Sequence, residues 1–340
     1  MFLSATGLRS HIWNNNLKSV LLLAGFPVLL ILLGLAVTWL TVGVAEPAVH
    51  KTGAGIVRDG GVIGAELARL PAIAAWSLGL AALWFVIAWF FHQSMINAAT
   101  GARPVTRKEE MRVWNLLENL CISHGMTMPK LAVIETSALN AYASGLREGQ
   151  YTVTVTRGLV DRLDDQELEA VLAHELSHIR HNDVRLLVIA IIFVGIISFV
   201  AEIVFRRIFW FGMRAGGDRR SGGRSGGLII VAALAIIVIA YALAILIRFS
   251  LSRRREYMAD AGAVELTRNP DAMIAALRKI SGHADIANAP DEMREMFIEN
   301  PKTGFTGLFA THPPIPKRIE MLVQYAGGTP GLGRGSVPEV

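Results

Sequence analysis

Two stretches without a charged residue constrain this chain more than anything else in it. Residues 19–45 run 27 positions without a charge, and residues 70–91 run 22. An apolar helix needs about 20 residues to cross the hydrocarbon of a bilayer. Both stretches are therefore expected to be transmembrane helices, with Trp39, Trp84 and Trp89 near their ends, where interfacial aromatics collect. The first is too long for the apolar region of a secretory signal, and no small-residue cleavage site follows it, so it reads as a retained anchor. Only 18% of the 340 residues are charged, against about 25% in ordinary soluble domains.

Two further blocks are apolar. Residues 186–205 carry a single charge, Glu202, and residues 225–247 carry none. They form a hydrophobic hairpin that either crosses the bilayer twice or stays on one side of it. The expected order along the chain is then an N-terminal segment (1–18), a first span (19–45), a Gly-containing connection (46–69) and a second span (70–91). A first polar domain (92–183) follows, then hydrophobic helices at 186–205 and 225–247 joined by an Arg- and Gly-rich connection (206–227). A second polar part (250–326) and a patternless tail (327–340) close the chain. The fold class is a mainly α membrane protein with four hydrophobic helices and an α+β domain split by the hairpin.

Within the polar parts, "VTRKEEMRVWNLLENLCISHG" has helical periodicity and stops at Gly125. "KLAVIE" reads as a strand, and the alternation in "YTVTVT" (151–156) predicts a half-exposed strand. "LDDQELEAVLAHELSHIRHND" predicts a helix opened by an Asp164–Glu167 capping box, with an apolar stripe at Leu168, Val171, Leu172 and Leu176. Helices are also expected around Arg254–Thr267 and Asp271–Ser281. The single cysteine, Cys121, excludes an intramolecular disulfide and a cysteine-rich metal site; it reads as a core residue.

The chemistry concentrates at residues 174–178, "HELSH". Residues i and i+4 of a helix share a face, so His174 and His178 can aim both imidazoles at one point. That supplies two ligands of a tetrahedral zinc site. Glu175, turned about 100° from His174, can reach a water at the metal without becoming a ligand and can act as general base. In "SRRREYMADAGAVELT" (252–267), Glu256 can complete a His2Glu set and Asp260 can fix the tautomer of a ligating histidine. Taken by themselves, those two carboxylates would read as a solvated acidic face. His181 reads as a surface residue near the helix end.

Two apolar spans, "HELSH", a hydrophobic hairpin, "EYMAD" and "THPP" together resemble the M48 family of membrane metallopeptidases, and within it the bacterial HtpX-type heat-shock proteases. The resemblance covers roughly residues 10–325. It implies a gluzincin core binding one zinc ion per chain through His174, His178 and Glu256, with Glu175 as base. "LNAYASG" (139–145) resembles the family's segment beside the cleft, placing Asn140, Ala141, Tyr142 and Ala143 as candidate substrate-cleft residues. With "YTVTVT" this segment could offer an edge to which a peptide adds as a strand. "THPPIPKRIEML" resembles the family's late His-Pro motif, making His312 and Arg318 candidates to stabilise an oxyanion. The resemblance further implies protein or peptide substrates, membrane proteins among them, a role in their quality control, and a multi-pass place in a bacterial inner membrane with the site facing the cytoplasm.

Charge alone does not set that orientation. Arg9, Lys18, Arg103, Arg107, Lys108 and Arg253–Arg255 flank the spans on one face, while the other would have Lys51, Arg58 and Arg69, joined by the arginine-rich 206–227 connection if the hairpin crosses. The Arg/Gly connection has aromatics only at Phe205–Phe211, which argues against a nucleic-acid platform and for lipid headgroups as its partner. Two alternatives stand beside an endopeptidase. One is a CAAX-type prenyl-protein peptidase, which usually has more spans than four. The other is a non-catalytic membrane holdase or scaffold, which intact Glu175 argues against.

Overall fold

The computed structural model describes residues 50–52, 55–57, 62–192, 254–286, 293–299 and 313–329, with isolated positions 17, 31 and 289. The span expected at 19–45, the hydrophobic helix at 225–247, the basic connection at 206–227 and His312 lie outside the described residues, as does most of 186–205. Two compact units divide the chain. Residues 90–191 and 248–340 fall in one with 1–19, and residues 20–89 and 192–247 fall in the other.

In the second of these units, the connection expected at 46–69 contains a small antiparallel hairpin, β1 (His50–Thr52) and β2 (Gly55–Val57), with His50 opposite Val57. Helix α1 follows (Val62–Thr100), its residues up to Trp89 in this unit and the rest in the first, so the span expected at 70–91 extends at both ends. Its stretch Pro71–Thr100 is long and apolar enough to cross a membrane, and only 6% of its most apolar window is buried. Trp76 is 81% exposed and Phe90 70%. Water would penalise that surface at roughly 25 cal/mol per Å².

The first unit is built on a four-stranded mixed sheet in the order β3-β4-β6-β5. Its strands are β3 (Arg103–Pro104), β4 (Lys130–Ile134), β5 (Ala141–Ser144) and β6 (Thr152–Thr156). β4 and β6 run parallel with Lys130 opposite Thr152, whereas β5 runs antiparallel to β6 with Ala141 opposite Val155. The expectation of a half-exposed strand at 151–156 fails. Every residue of β6 is buried because it is an inner strand covered on both faces. The edge beside the site belongs to β5 instead.

Helix α2 (Met111–Ser123) begins later than its periodicity suggests. The preceding residues form a turn in which Glu109 accepts from the Thr106 amide and hydroxyl at 2.7 and 2.8 Å. Past its end, Gly125 takes φ +61°, a conformation that favours glycine. A short α3 (Arg157–Arg162) leads into α4 (Asp165–Arg180), whose capping box forms as expected: Asp164 accepts from the Glu167 amide and Glu167 reaches back to the Asp164 amide. The stripe Leu168, Val171, Leu172 and Leu176 is completely buried. Nearly every other side of α4 is buried too, so it is the central helix of the unit rather than an amphipathic surface helix.

Helices α5 (Arg254–Thr267), α6 (Pro270–Ile280) and α7 (Ile315–Ala326) complete the unit. α5 crosses α4 so closely that a Cβ at Gly262 would sit 2.1 Å from the Ser177 hydroxyl. Only glycine permits that approach. It brings the first turn of α5 against the "HELSH" turn of α4.

Candidate active site

The i, i+4 spacing on α4 sets the Nε2 atoms of His174 and His178 3.2 Å apart. Glu256, in the first turn of α5, places Oε2 3.6 Å from His174 Nε2 and Oε1 3.7 Å from His178 Nε2. Ligands 2.0–2.1 Å from a tetrahedral zinc ion lie about 3.4 Å apart; the two imidazole nitrogens have that spacing, and one ligand atom from each of His174, His178 and Glu256 lies within 4.8 Å of the others.

The outer face of each imidazole explains why this convergence favours a cation. His178 Nδ1 lies 3.2 Å from Asp183 Oδ2, and His174 Nδ1 lies 3.0 Å from Asp260 Oδ1, close though not aligned as a straight hydrogen bond. A carboxylate beside Nδ1 holds the proton there and leaves the lone pair on Nε2. Two lone pairs and a carboxylate then face one point, an arrangement that needs a positive charge at its centre. Burial would make a charged His174 less favourable, but Asp260 and Glu256 outweigh it and lift its pKa to about 9. A proton there does part of what a metal ion would do.

Net charge points the same way. Glu175, Asp183, Glu256 and Asp260 are all buried, and the buried guanidiniums beside them are Arg255 and Arg318. Four carboxylates against two guanidiniums leave the buried cluster short of positive charge, a shortage that a bound cation would relieve. Uncompensated buried charge is too costly to leave in place. The residues therefore fit a zinc ion, in both donor type and charge.

A narrow cleft opens onto this cluster, lined by Glu175, Asp183 and Arg255 as well as the three candidate ligands, and walled by Ala143, Val184, Leu187, Met296, Phe297 and Ile298. Burial pushes the pKa of Glu175 up, with Glu256 adding to the rise, while His174, His178 and Arg318 oppose it. Arg318 holds Asp260 below the usual carboxylate range, against the effect of burial, with the His174 contact assisting.

Several residues expected to handle substrate have other partners. Arg318 is fully buried and does not line the cleft. Its Nε and Nη2 donate to Asp260 at 2.9 and 2.6 Å, and its Nη1 donates to the Ile298 carbonyl at 2.9 Å. It holds the carboxylate behind His174 and stands apart from the cleft residues, where an oxyanion donor is expected. The Asn140 side chain is saturated. Its Nδ2 donates to the carbonyls of Ala284 and Glu299, and its Oδ1 accepts from the amides of Ala141 and Ile298. Tyr142 is buried against Phe297 at 5.6 Å between ring centroids, with its hydroxyl 2.9 Å from Thr100 Oγ1. The Ala141 carbonyl accepts from the Ile298 amide. Of the four, only Ala143 lines the cleft.

Two site residues were not found by sequence reasoning. Asp183 follows Asn182, whose φ of +59° turns the chain back beneath His178. Arg255 is 5% exposed and faces the cleft. His181, expected at the surface, is buried at 5% exposure where α4 meets α5 near Gly262.

The sequence pattern of Peptidase family M48 matches residues 107–326, which contain every candidate site residue. The chain belongs to peptidase family M48. A protease HtpX homolog of Bacteroides fragilis is 50% identical over 257 residues, covering 73% of this chain and 79% of the relative. One from Ligilactobacillus salivarius is 35% identical over 319 residues, covering 93% and 99%. This M48 peptidase is thus of the HtpX type and is a metalloprotease. The crystal structure of S. mikatae Ste24p aligns with 75% of this chain and 60% of its own, at 19% identity and a TM-score of 0.45, too distant to argue from.

Proposed function

We propose that the chain is a membrane-anchored zinc endopeptidase in which His174, His178 and Glu256 hold the metal and Glu175 is the general base. The observation that carries this reading is the convergence of two imidazoles from α4 and one carboxylate from α5, whose ligand atoms lie within 4.8 Å of one another, beside Glu175. When bound, zinc supplies Lewis-acid polarisation of a carbonyl and lowers the pKa of water.

The protein's own groups do the rest. Glu175, its proton affinity raised by burial, accepts the proton of the attacking water on its carboxylate and returns it to the leaving nitrogen. Asp260 and Asp183 keep His174 and His178 in the tautomers that present Nε2. Arg318 fixes Asp260.

The substrate is an extended polypeptide added to β5. The Thr156 amide donates to the Asn140 carbonyl. Antiparallel ladders alternate, so this bond turns the backbone groups of Ala141 and Ala143 away from β6. The Ala141 carbonyl is engaged by Ile298, which leaves Ala143, at the cleft, to pair with a peptide.

The exposed apolar surface of Pro71–Thr100 supports attachment to a lipid bilayer. With it go the finer readings of a multi-pass inner-membrane protein, a cytoplasm-facing site and misfolded membrane proteins as substrates. Cleavage of an unfolded model protein by the detergent-purified chain, beside Glu175→Gln, tests the enzyme reading. Cleavage by the wild type alone is expected; equal cleavage by both would remove Glu175 from its role.

A further inference from the structure

Arg255 has no role in the scheme above, yet it is placed where a role is hard to avoid. It lies in the first turn of α5, one residue before Glu256, is 5% exposed and lines the cleft with the candidate ligands. Its Nε is buried without a hydrogen-bond partner, and no described carboxylate pairs with it. Burying a guanidinium away from water without a partner is costly. Arg318 shows the usual remedy within the same unit, with its donors taken up by Asp260 and the Ile298 carbonyl. Of the two buried guanidiniums near the site, one has all three nitrogens engaged behind the ligands and the other lines the cleft with a buried Nε that has no partner.

We propose that Arg255 is the substrate-facing cation of this site, donating to the carbonyl oxygen that gains negative charge as water attacks the peptide. This rests on the zinc-peptidase reading. As Glu175 takes the water proton its own charge disappears, and negative charge appears on the carbonyl oxygen instead. A guanidinium already bonded to Asp260 gains little from that change, whereas one with free donors gains most at the transition state, where an interaction accelerates the reaction rather than only tightening binding. The oxyanion role expected of Arg318 therefore passes to Arg255. The apolar walls formed by Val184, Leu187 and Phe297 exclude competing water and strengthen the contact.

The test uses the full chain in detergent, with Arg255→Gln and Arg255→Lys compared to wild type. The readouts are bound zinc per chain, kcat and KM on one peptide, and inhibition by a phosphinic peptide of matching sequence. Expected for Arg255→Gln are unchanged zinc, little change in KM, a fall in kcat of about 10²- to 10³-fold, and phosphinic-peptide binding weakened by a similar factor. Arg255→Lys should recover part of both losses and keeps the test open if the glutamine variant does not fold. Unchanged kcat/KM at full zinc occupancy would overturn the proposal. So would losses that follow lost zinc in both variants, since Arg255 would then only balance the ligand carboxylates. An inactive wild type would instead remove the peptidase reading, and this proposal with it.

Discussion

Helix α1 carries large apolar side chains outward, while α4 carries histidines and carboxylates inward. Trp76 is 81% exposed, whereas His174 is completely buried and Glu175 is 2% exposed. Each helix inverts the usual rule for a protein in water, and each inversion identifies what surrounds it. A long apolar stretch exposed on a helix calls for lipid. A buried helix bearing two histidines and a glutamate, backed by Asp183 and Asp260, calls for a cation.

The largest effect expected from breaking this contrast is on α1. Leu83, 58% exposed near the middle of the apolar stretch, should meet lipid, so Leu83→Arg should cost about 2.5–3.5 kcal/mol of membrane insertion. Fractionation of cells expressing the variant should show less protein in the membrane fraction. Undiminished retention would mean that this face of α1 does not meet lipid.

On α4, Asp183→Asn removes the carboxylate behind His178 while leaving the three ligands in place. Zinc affinity should fall roughly 10- to 100-fold, measured by competition with a chelator of known affinity. An unchanged affinity would make Asp183 a bystander. The smallest effect is local: Asp164→Ala deletes one half of the capping box and should lower stability by about 1 kcal/mol, seen as a lower Tm with zinc binding retained.

What could be read from the sequence follows how far each signal reaches along the chain. The His174–His178 pair and the Asp164–Glu167 box are set by one helix, and both form as their spacing dictates. The partners of Asn140 and Arg318 were not legible because they are remote in sequence. Asn140 accepts from Ile298, 158 positions away, and Arg318 grips Asp260, 58 away. No local pattern distinguishes a buried clamp from a substrate contact. Alternating Thr and Val in β6 gave the right element and the wrong exposure, because period-two patterning reports a strand but not whether both faces are covered. Asp183 was missed for a narrower reason: it acts only because Asn182 adopts the left-handed turn. Asn is among the few residues that tolerate that turn, and it was the one available hint.

The central claim is that α4 and α5 hold one zinc ion through two imidazoles and a carboxylate. X-ray absorption at the zinc edge on the purified chain tests it most directly. The account predicts one zinc per chain, with a nitrogen and oxygen shell at about 2.0–2.1 Å that includes two imidazoles. A chain that takes up no zinc when it is supplied, or zinc whose shell lacks imidazole, would contradict it.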